Sequence, residues 1–143
     1  MITQATKEEV EYIISHAVSS TYDATQMEIS EEKAVAMLQG VLDKGGFYLI
    51  AKEEDGTITG WILLGKNTDY FTDQTYGFIY EIYVLPEHRG KGLSKLLINE
   101  GNAYWKSQGY DEVRLNVFAS NFAKEIYKKM GFEEVNFIMK AKL

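Results

Sequence analysis

The stretch Glu81-Ile82-Tyr83-Val84-Leu85-Pro86-Glu87-His88-Arg89-Gly90-Lys91-Gly92-Leu93-Ser94-Lys95-Leu96-Leu97 runs from an aromatic and β-branched segment, through a proline, into a turn with two glycines and an amphipathic segment. It reads as strand, exit, turn and helix. Successive backbone N–H groups in such a turn point inward, and the first turn of the helix adds donors with no intrahelical partner. The helix dipole favours negative charge at that end. A pyrophosphate therefore suits the site. Gly90 and Gly92 permit positive φ and close backbone approach. Arg89 and Lys91 either add positive charge or face solvent. The plainer alternative is a tight strand–helix connection that binds nothing.

Upstream, Tyr76 to Leu85 is the strand that feeds this turn, and Phe47–Lys52 and Thr57–Gly65 read as two earlier strands. Asp55-Gly56 joins those two as a hairpin signal, and Lys66 to Thr75 is a polar and aromatic loop. At the start of the chain Thr6-Lys7-Glu8-Glu9 fits a capping box. Val10, Ile13, Ile14, Ala17 and Val18 follow at helical spacing. A second helix starts near Ser30 and stops at Gly45-Gly46. Downstream, the helix from Gly92 runs to about Gln108 and Gly109 ends it. Val113–Phe118 reads as a strand, Asn121–Met130 as a helix and Glu134–Lys142 as a closing strand. That order predicts an α/β sandwich around a mixed sheet, and 143 residues suit a single domain over 1–143.

The composition narrows the chemistry. With no cysteine there is neither a disulfide nor a thiol nucleophile, and two histidines, His16 and His88, argue against a metal site. A net charge of −6 repels a nucleic-acid backbone and attracts a cationic substrate, although it also serves simple solubility. No apolar run approaches the ~20 residues of a membrane span. The first residues, with Glu8, Glu9 and Glu11, lack the basic start of a secretory signal, so the expected location is cytoplasmic.

Three phosphate motifs compete for the glycine turn. A P-loop fails, because Gly92 follows Gly90-Lys91 and leucine holds position 85. A dinucleotide fingerprint fails at its third glycine, where Lys95 stands. The remaining pattern is Arg or Gln, two residues, Gly, one residue, Gly or Ala. Arg89 and Gly92 match it, with Ser94 replacing the last small residue. Here the chain resembles the GNAT acetyltransferases. A second region, Leu115 to Phe132, resembles their C-terminal element of strand, Asn, Ala, helix, Tyr and Gly-Phe.

The resemblance implies a mixed, mostly antiparallel central sheet flanked by helices, with a V-shaped splay between the two central strands. It implies acetyl-CoA as co-substrate, no metal, and direct attack by a primary amine of a small molecule or peptide. Pantetheine would bond to the backbone of Ile82, Tyr83 and Val84. The N–H of Val84, where that strand bulges and splays, would face the thioester oxygen. Arg89, Gly90, Lys91, Gly92, Leu93 and Ser94 would hold the pyrophosphate. Either Ser120 or Asn121 would contact the cofactor, since the family's asparagine falls one position away. Tyr127 matches the family's acid, or else packs with Phe122, Ile126 and Met130. Glu81 is the candidate base, or else a solvent-facing or paired carboxylate. Strand alternation sets Glu81 and Tyr83 on one face and Ile82 and Val84 on the other. His16 and His88 read as bystanders. Tyr22, Asp23, Asp69, Tyr70, Phe71, Asp73 and Tyr76 suit either an acceptor site for a cation or ordinary loop chemistry. The rival functions are a non-catalytic acyl-CoA-binding module and a protein N-acetyltransferase. The aromatics between Asp69 and Tyr76 leave a homodimer interface or a lid open.

Overall fold

A computed structural model describes all 143 residues. The elements are β1 (Ile2–Gln4), α1 (Lys7–Ile14), α2 (Ala17–Thr25), α3 (Glu31–Asp43), β2 (Phe47–Lys52), β3 (Ile58–Thr68), β4 (Thr75–Val84), α4 (Leu93–Ser107), β5 (Val113–Leu115) and α5 (Ala123–Lys129). A single 3-10 turn at Pro86–His88 separates β4 from the glycine turn. The sheet runs β1-β2-β3-β4-β5, antiparallel except for the parallel β4–β5 pair.

Local chemistry sets the boundaries. Thr6 Oγ1 accepts from Glu9 N–H, and Glu9 Oε1 accepts from Thr6 N–H, so the expected capping box starts α1. Ser30 caps α3 by accepting from Lys33 N–H. The first apolar helical run is two helices, α1 and α2, broken at Ser15 and His16. Ser15 Oγ turns back to the Tyr12 carbonyl there, as short polar side chains do when they compete with a helix ladder. The β3–β4 hairpin extends to Thr68 and Thr75, which shortens the expected loop.

The sheet carries a core on each face. Ile13, Ala17, Ala34, Leu38, Tyr48, Ile50, Trp61, Leu63 and Tyr83 pack under α1, α2 and α3. Ala51, Ile62, Leu64, Ile79, Leu97, Ile98 and Trp105 pack under α4. The two sets come from alternate residues of the same strands, as period-two geometry requires.

Two expectations need correction. The bulge in β4 is at Tyr80, where the register passes from Leu63↔Glu81 to Leu64↔Ile79, and so lies four residues before Val84. Glu134–Lys142 forms no strand. None of its backbone groups bonds to another: past Gly131 (φ +98) the segment pairs with no strand, and Val135, Phe137, Ile138 and Met139 are exposed.

Candidate active site

The parallel pairing of β4 with β5 is limited to Gly77↔Val113, Phe78↔Arg114 and Ile79↔Leu115. Beyond Ile79 the two strands part, which forms the splay. On its other edge β4 stays paired with β3 as far as Val84. Leu85 N–H donates to Thr59 O at 2.9 Å. In an antiparallel ladder alternate residues face alternate edges, so the backbone groups of Ile82 and Val84 turn away from β3 and into the gap. Gap and glycine turn adjoin. Gly90 (φ +80) and Gly92 (φ +76) hold the left-handed conformations expected of glycine there, and a Cβ at either would meet nothing within 4 Å. Gly92 is the N-cap of α4, no side chain caps that helix, and its first turn carries no acid. Its leading N–H groups therefore face open space. A β-edge for an extended pantetheine and a donor cluster for a pyrophosphate thus meet at the end of β4, which is the fit acetyl-CoA requires.

Arg89 lies across the mouth of the gap. Its Nε donates to Val84 O at 2.8 Å, and its Nη1 is 3.3 Å from Asp23 Oδ1. The guanidinium rests over the Tyr83 ring, 5.4 Å from its centroid. Lys91 is exposed, whereas Leu93 and Ser94 are half-buried at the helix start.

Glu81 enters the α1–α3 face. The Tyr80 bulge resets alternation, so Glu81 and Tyr83 share that face while Ile82 and Val84 join the α4 side. Trp61 Nε1 donates to Glu81 Oε1 at 2.7 Å, and Ser20 Oγ donates to Oε2 at 3.2 Å. Desolvation pushes the Glu81 carboxyl above the usual range, against the two hydrogen bonds, which favour the anion. Tyr48, fully buried with no partner for its hydroxyl, is held protonated by burial and by the nearby Glu81 charge. Sequence reasoning missed Ser20, Tyr48 and Trp61. No local pattern signals them: only the β3–β4 register, with Trp61↔Tyr83 and Leu63↔Glu81, brings the indole N–H beside Glu81.

Tyr127 approaches from the other side. It is half-buried in α5 against the α4 core, with Phe132 at 6.1 Å between centroids. Burial raises its phenol above the usual value, and Asp23 adds to the rise. Asp23 has the same effect on Tyr83, so the end of α2, the end of β4 and α5 converge on one carboxylate. Asn121 stitches this corner together. Its Nδ2 donates to Ala24 O at 3.2 Å, and its Oδ1 accepts from Ala123 N–H at 2.9 Å. Ser120 is exposed in the turn before it. Glu81 thus bonds to the core under α1–α3, whereas Tyr127 packs on the core under α4.

The remaining candidates separate from this centre. Asp69 accepts from Phe71 and Thr72 N–H and pairs with Arg114 at 2.9 Å, and Arg114 covers the Tyr76 ring. Tyr70 and Phe71 are 91% exposed. His88 is half-buried, 3.4 Å from Glu53, rather than facing solvent. It lines an open groove of about 870 Å³ with Lys52, Glu53, Asp55, Lys91, Leu93 and Leu96, which adjoins the glycine turn at Lys91 and Leu93. No residue of β4 or α5 reaches that groove, so its size does not make it the reaction centre.

The profile of the Acetyltransferase (GNAT) family matches residues 10–132, which takes in the splay, the glycine turn and α5. The chain belongs to the GNAT family. Among curated GNAT relatives, an uncharacterized N-acetyltransferase of Bacillus subtilis is 30% identical over 93 residues, covering 64% of this chain and 58% of that protein. A mycothiol acetyltransferase of Thermobispora bispora is 36% identical over 93 residues, covering 63% of this chain. Only 30% of that longer protein is spanned. Among solved structures, a putative acetyl transferase from Pyrococcus furiosus superposes with a TM-score of 0.87 at 22% identity, covering 100% of this chain and 99% of the other. That likeness establishes the GNAT fold, an open mixed sheet flanked by helices.

Proposed function

We propose that this GNAT protein moves an acetyl group from acetyl-CoA to a primary amine of a small molecule or peptide by direct attack. The observation that carries the reading is the unpaired edge of Ile82 and Val84 opening onto the uncapped start of α4. When bound, acetyl-CoA supplies a thioester carbonyl carbon that accepts the amine and a sulfur that leaves. Val84 N–H points its dipole into the gap, where it stabilises negative charge on the carbonyl oxygen. Ile82 and Val84 hold the extended arm of the co-substrate as an added strand would be held. The leading N–H groups of Leu93 and Ser94, with Gly90, Lys91 and Gly92, hold its pyrophosphate. Arg89 exchanges Asp23 for phosphate. Ser120, whose side chain is free in the turn, reaches the co-substrate, while Asn121 holds the turn in place.

A lysine-like amine requires roughly 4–5 kcal/mol to be neutral at pH 7. Glu81 takes that proton at a carboxylate oxygen, and its raised pKa makes it a stronger base than an exposed carboxylate. Tyr127 keeps its proton at neutral pH, and the proton passes from Oη to the leaving sulfur. The test is thiol release from acetyl-CoA against a panel of amines, with wild type beside Tyr127→Phe. Amine-dependent release that falls about 10²-fold or more in the variant is expected. Acetyl-CoA binding without release for any amine, peptides and proteins included, would favour the non-catalytic module. Absence of binding would overturn the co-substrate assignment.

A further inference from the structure

We infer that Trp61 and Ser20 are positioning residues for Glu81: together they set its hold on a proton and direct that proton to Oε2. The catalytic meaning of the arrangement rests on the proposal that Glu81 is the base. The two partners differ in kind. An indole N–H can only donate. Trp61 Nε1, 2.7 Å from Oε1, therefore favours a bare oxygen there in either protonation state. Ser20 carries one hydroxyl proton and has two acceptors, Glu81 Oε2 and Ala17 O, each at 3.2 Å. A hydroxyl can also accept. With Glu81 anionic, the Ser20 proton points to Oε2. Once Oε2 takes a proton from the amine, that new O–H donates to Ser20 Oγ, and the Ser20 proton turns to Ala17 O. No buried group then loses a partner, and no covalent bond of Ser20 breaks.

The surroundings leave this pair in control. Trp61 is fully buried and Ser20 is 4% exposed, so neither swings out to water. The indole is wedged between the Tyr83 ring at 5.2 Å and the His16 ring at 5.4 Å, with Tyr12 of α1 at 6.2 Å. That packing fixes where its N–H aims. The buried residues of α3 on this face are Ala34 and Leu38, which are apolar. From β2, Tyr48 is in register with Leu63, which is in register with Glu81. The Tyr48 hydroxyl is buried, bonded to nothing and held protonated. Asp23, further along α2 than Ser20, is engaged by Arg89. Desolvation raises the carboxyl of Glu81, and the bonds from Trp61 and Ser20 are what offset it.

Carboxyl-carbon NMR reads the proton on Glu81 without any substrate, and the signal is assigned by its loss in Glu81→Gln. Its midpoint should lie above the ordinary glutamate value of ~4.3. Trp61→Phe should raise it further by about one pH unit, the scale of one hydrogen bond to a charged group. Ser20→Ala, the smaller change to the core, should raise it by less, because serine bonds to both forms of the carboxyl. The indole N–H signal of Trp61 should titrate at the wild-type midpoint and stop doing so in Glu81→Gln. A midpoint unmoved in Ser20→Ala would overturn the inference. So would an indole titration that persists without Glu81 and therefore belongs to His16. In amine-dependent thiol release, the acid limb of kcat/KM should follow the NMR midpoint from variant to variant. A merely structural role would lower the rate by one factor at every pH. Midpoints that move as expected while the limb stays put would uphold the positioning and reject Glu81 as the base.

Discussion

The bulge at Tyr80 decides where Glu81 points. With regular alternation after Ile79, Glu81 would enter the apolar layer beside Leu97, where nothing would accept a carboxylate. The extra residue turns it to Trp61 and Ser20, and leaves Tyr80 on the same face, its hydroxyl 3.3 Å from Lys66 O. A carboxyl whose folded pKa lies above its unfolded value binds its proton more tightly when folded. Its contribution to stability is thus present at low pH and lost as pH rises through the folded value. Glu9, Asp55, Asp69 and Glu134 are shifted down and act in the opposite sense, so the comparison must be with a variant at the same pH. Glu81→Gln should gain stability relative to wild type as pH rises above ~4.3, the ordinary glutamate value. Urea titrations across pH 4–8 would show that widening gap, and a constant gap would mean no shift. If Glu81 is the base, the acid limb of kcat/KM should lie above the carboxylate range in wild type. It should disappear in Glu81→Gln, with a rate loss of about 10²-fold.

At the scale of elements, the narrow join between β4 and β5 controls the gap. It depends on Gly77, which pairs with Val113 and lies flat under Trp105 of α4. A Cβ there would come within 2.3 Å of the indole. Gly77→Ala should therefore destabilise the fold by about 1–3 kcal/mol, as overpacking a filled core does, despite alanine's better backbone propensity. Urea unfolding measures this, and a variant as stable as wild type would show that the indole moves freely aside. Elements with local signals were legible in the sequence. Thr6 and Ser30 announced their helices, Asp55-Gly56 its hairpin, and Gly90 and Gly92 the turn, because caps and positive-φ turns are set by the residues themselves. The bulge was placed wrongly, since a shifted register depends on a partner strand that no local pattern specifies. For the same reason Trp61 and Ser20 went unseen beside Glu81, and β1 is too short to carry a period. Glu134–Lys142 has the pattern of a strand, but a strand also needs a partner edge, and no local pattern specifies one.

For the molecule as a whole, the net charge of −6 opposes an anionic co-substrate, so binding must come from local donors rather than from the overall field. The gap joins parts that otherwise touch little. β4 is central and paired, β5 has three paired residues, and α5 is anchored by Asn121 and by half-buried side chains. A ligand that bonds to Ile82, Val84 and the start of α4 would tie these parts together. Acetyl-CoA at about a hundred times its Kd should add ~2.7 kcal/mol to stability. For a chain of this size that raises Tm by roughly 5–10 °C. Hydrogen exchange locates the effect. The amides of Ile82, Val84 and Leu93 to Lys95 should slow on binding, because they are unpaired in the free chain and bonded in the complex. Those of α1, across the sheet and already bonded internally, should not change. Slowing confined to Lys52, Glu53 and His88, with Ile82 and Val84 unchanged, would instead leave the gap without a ligand.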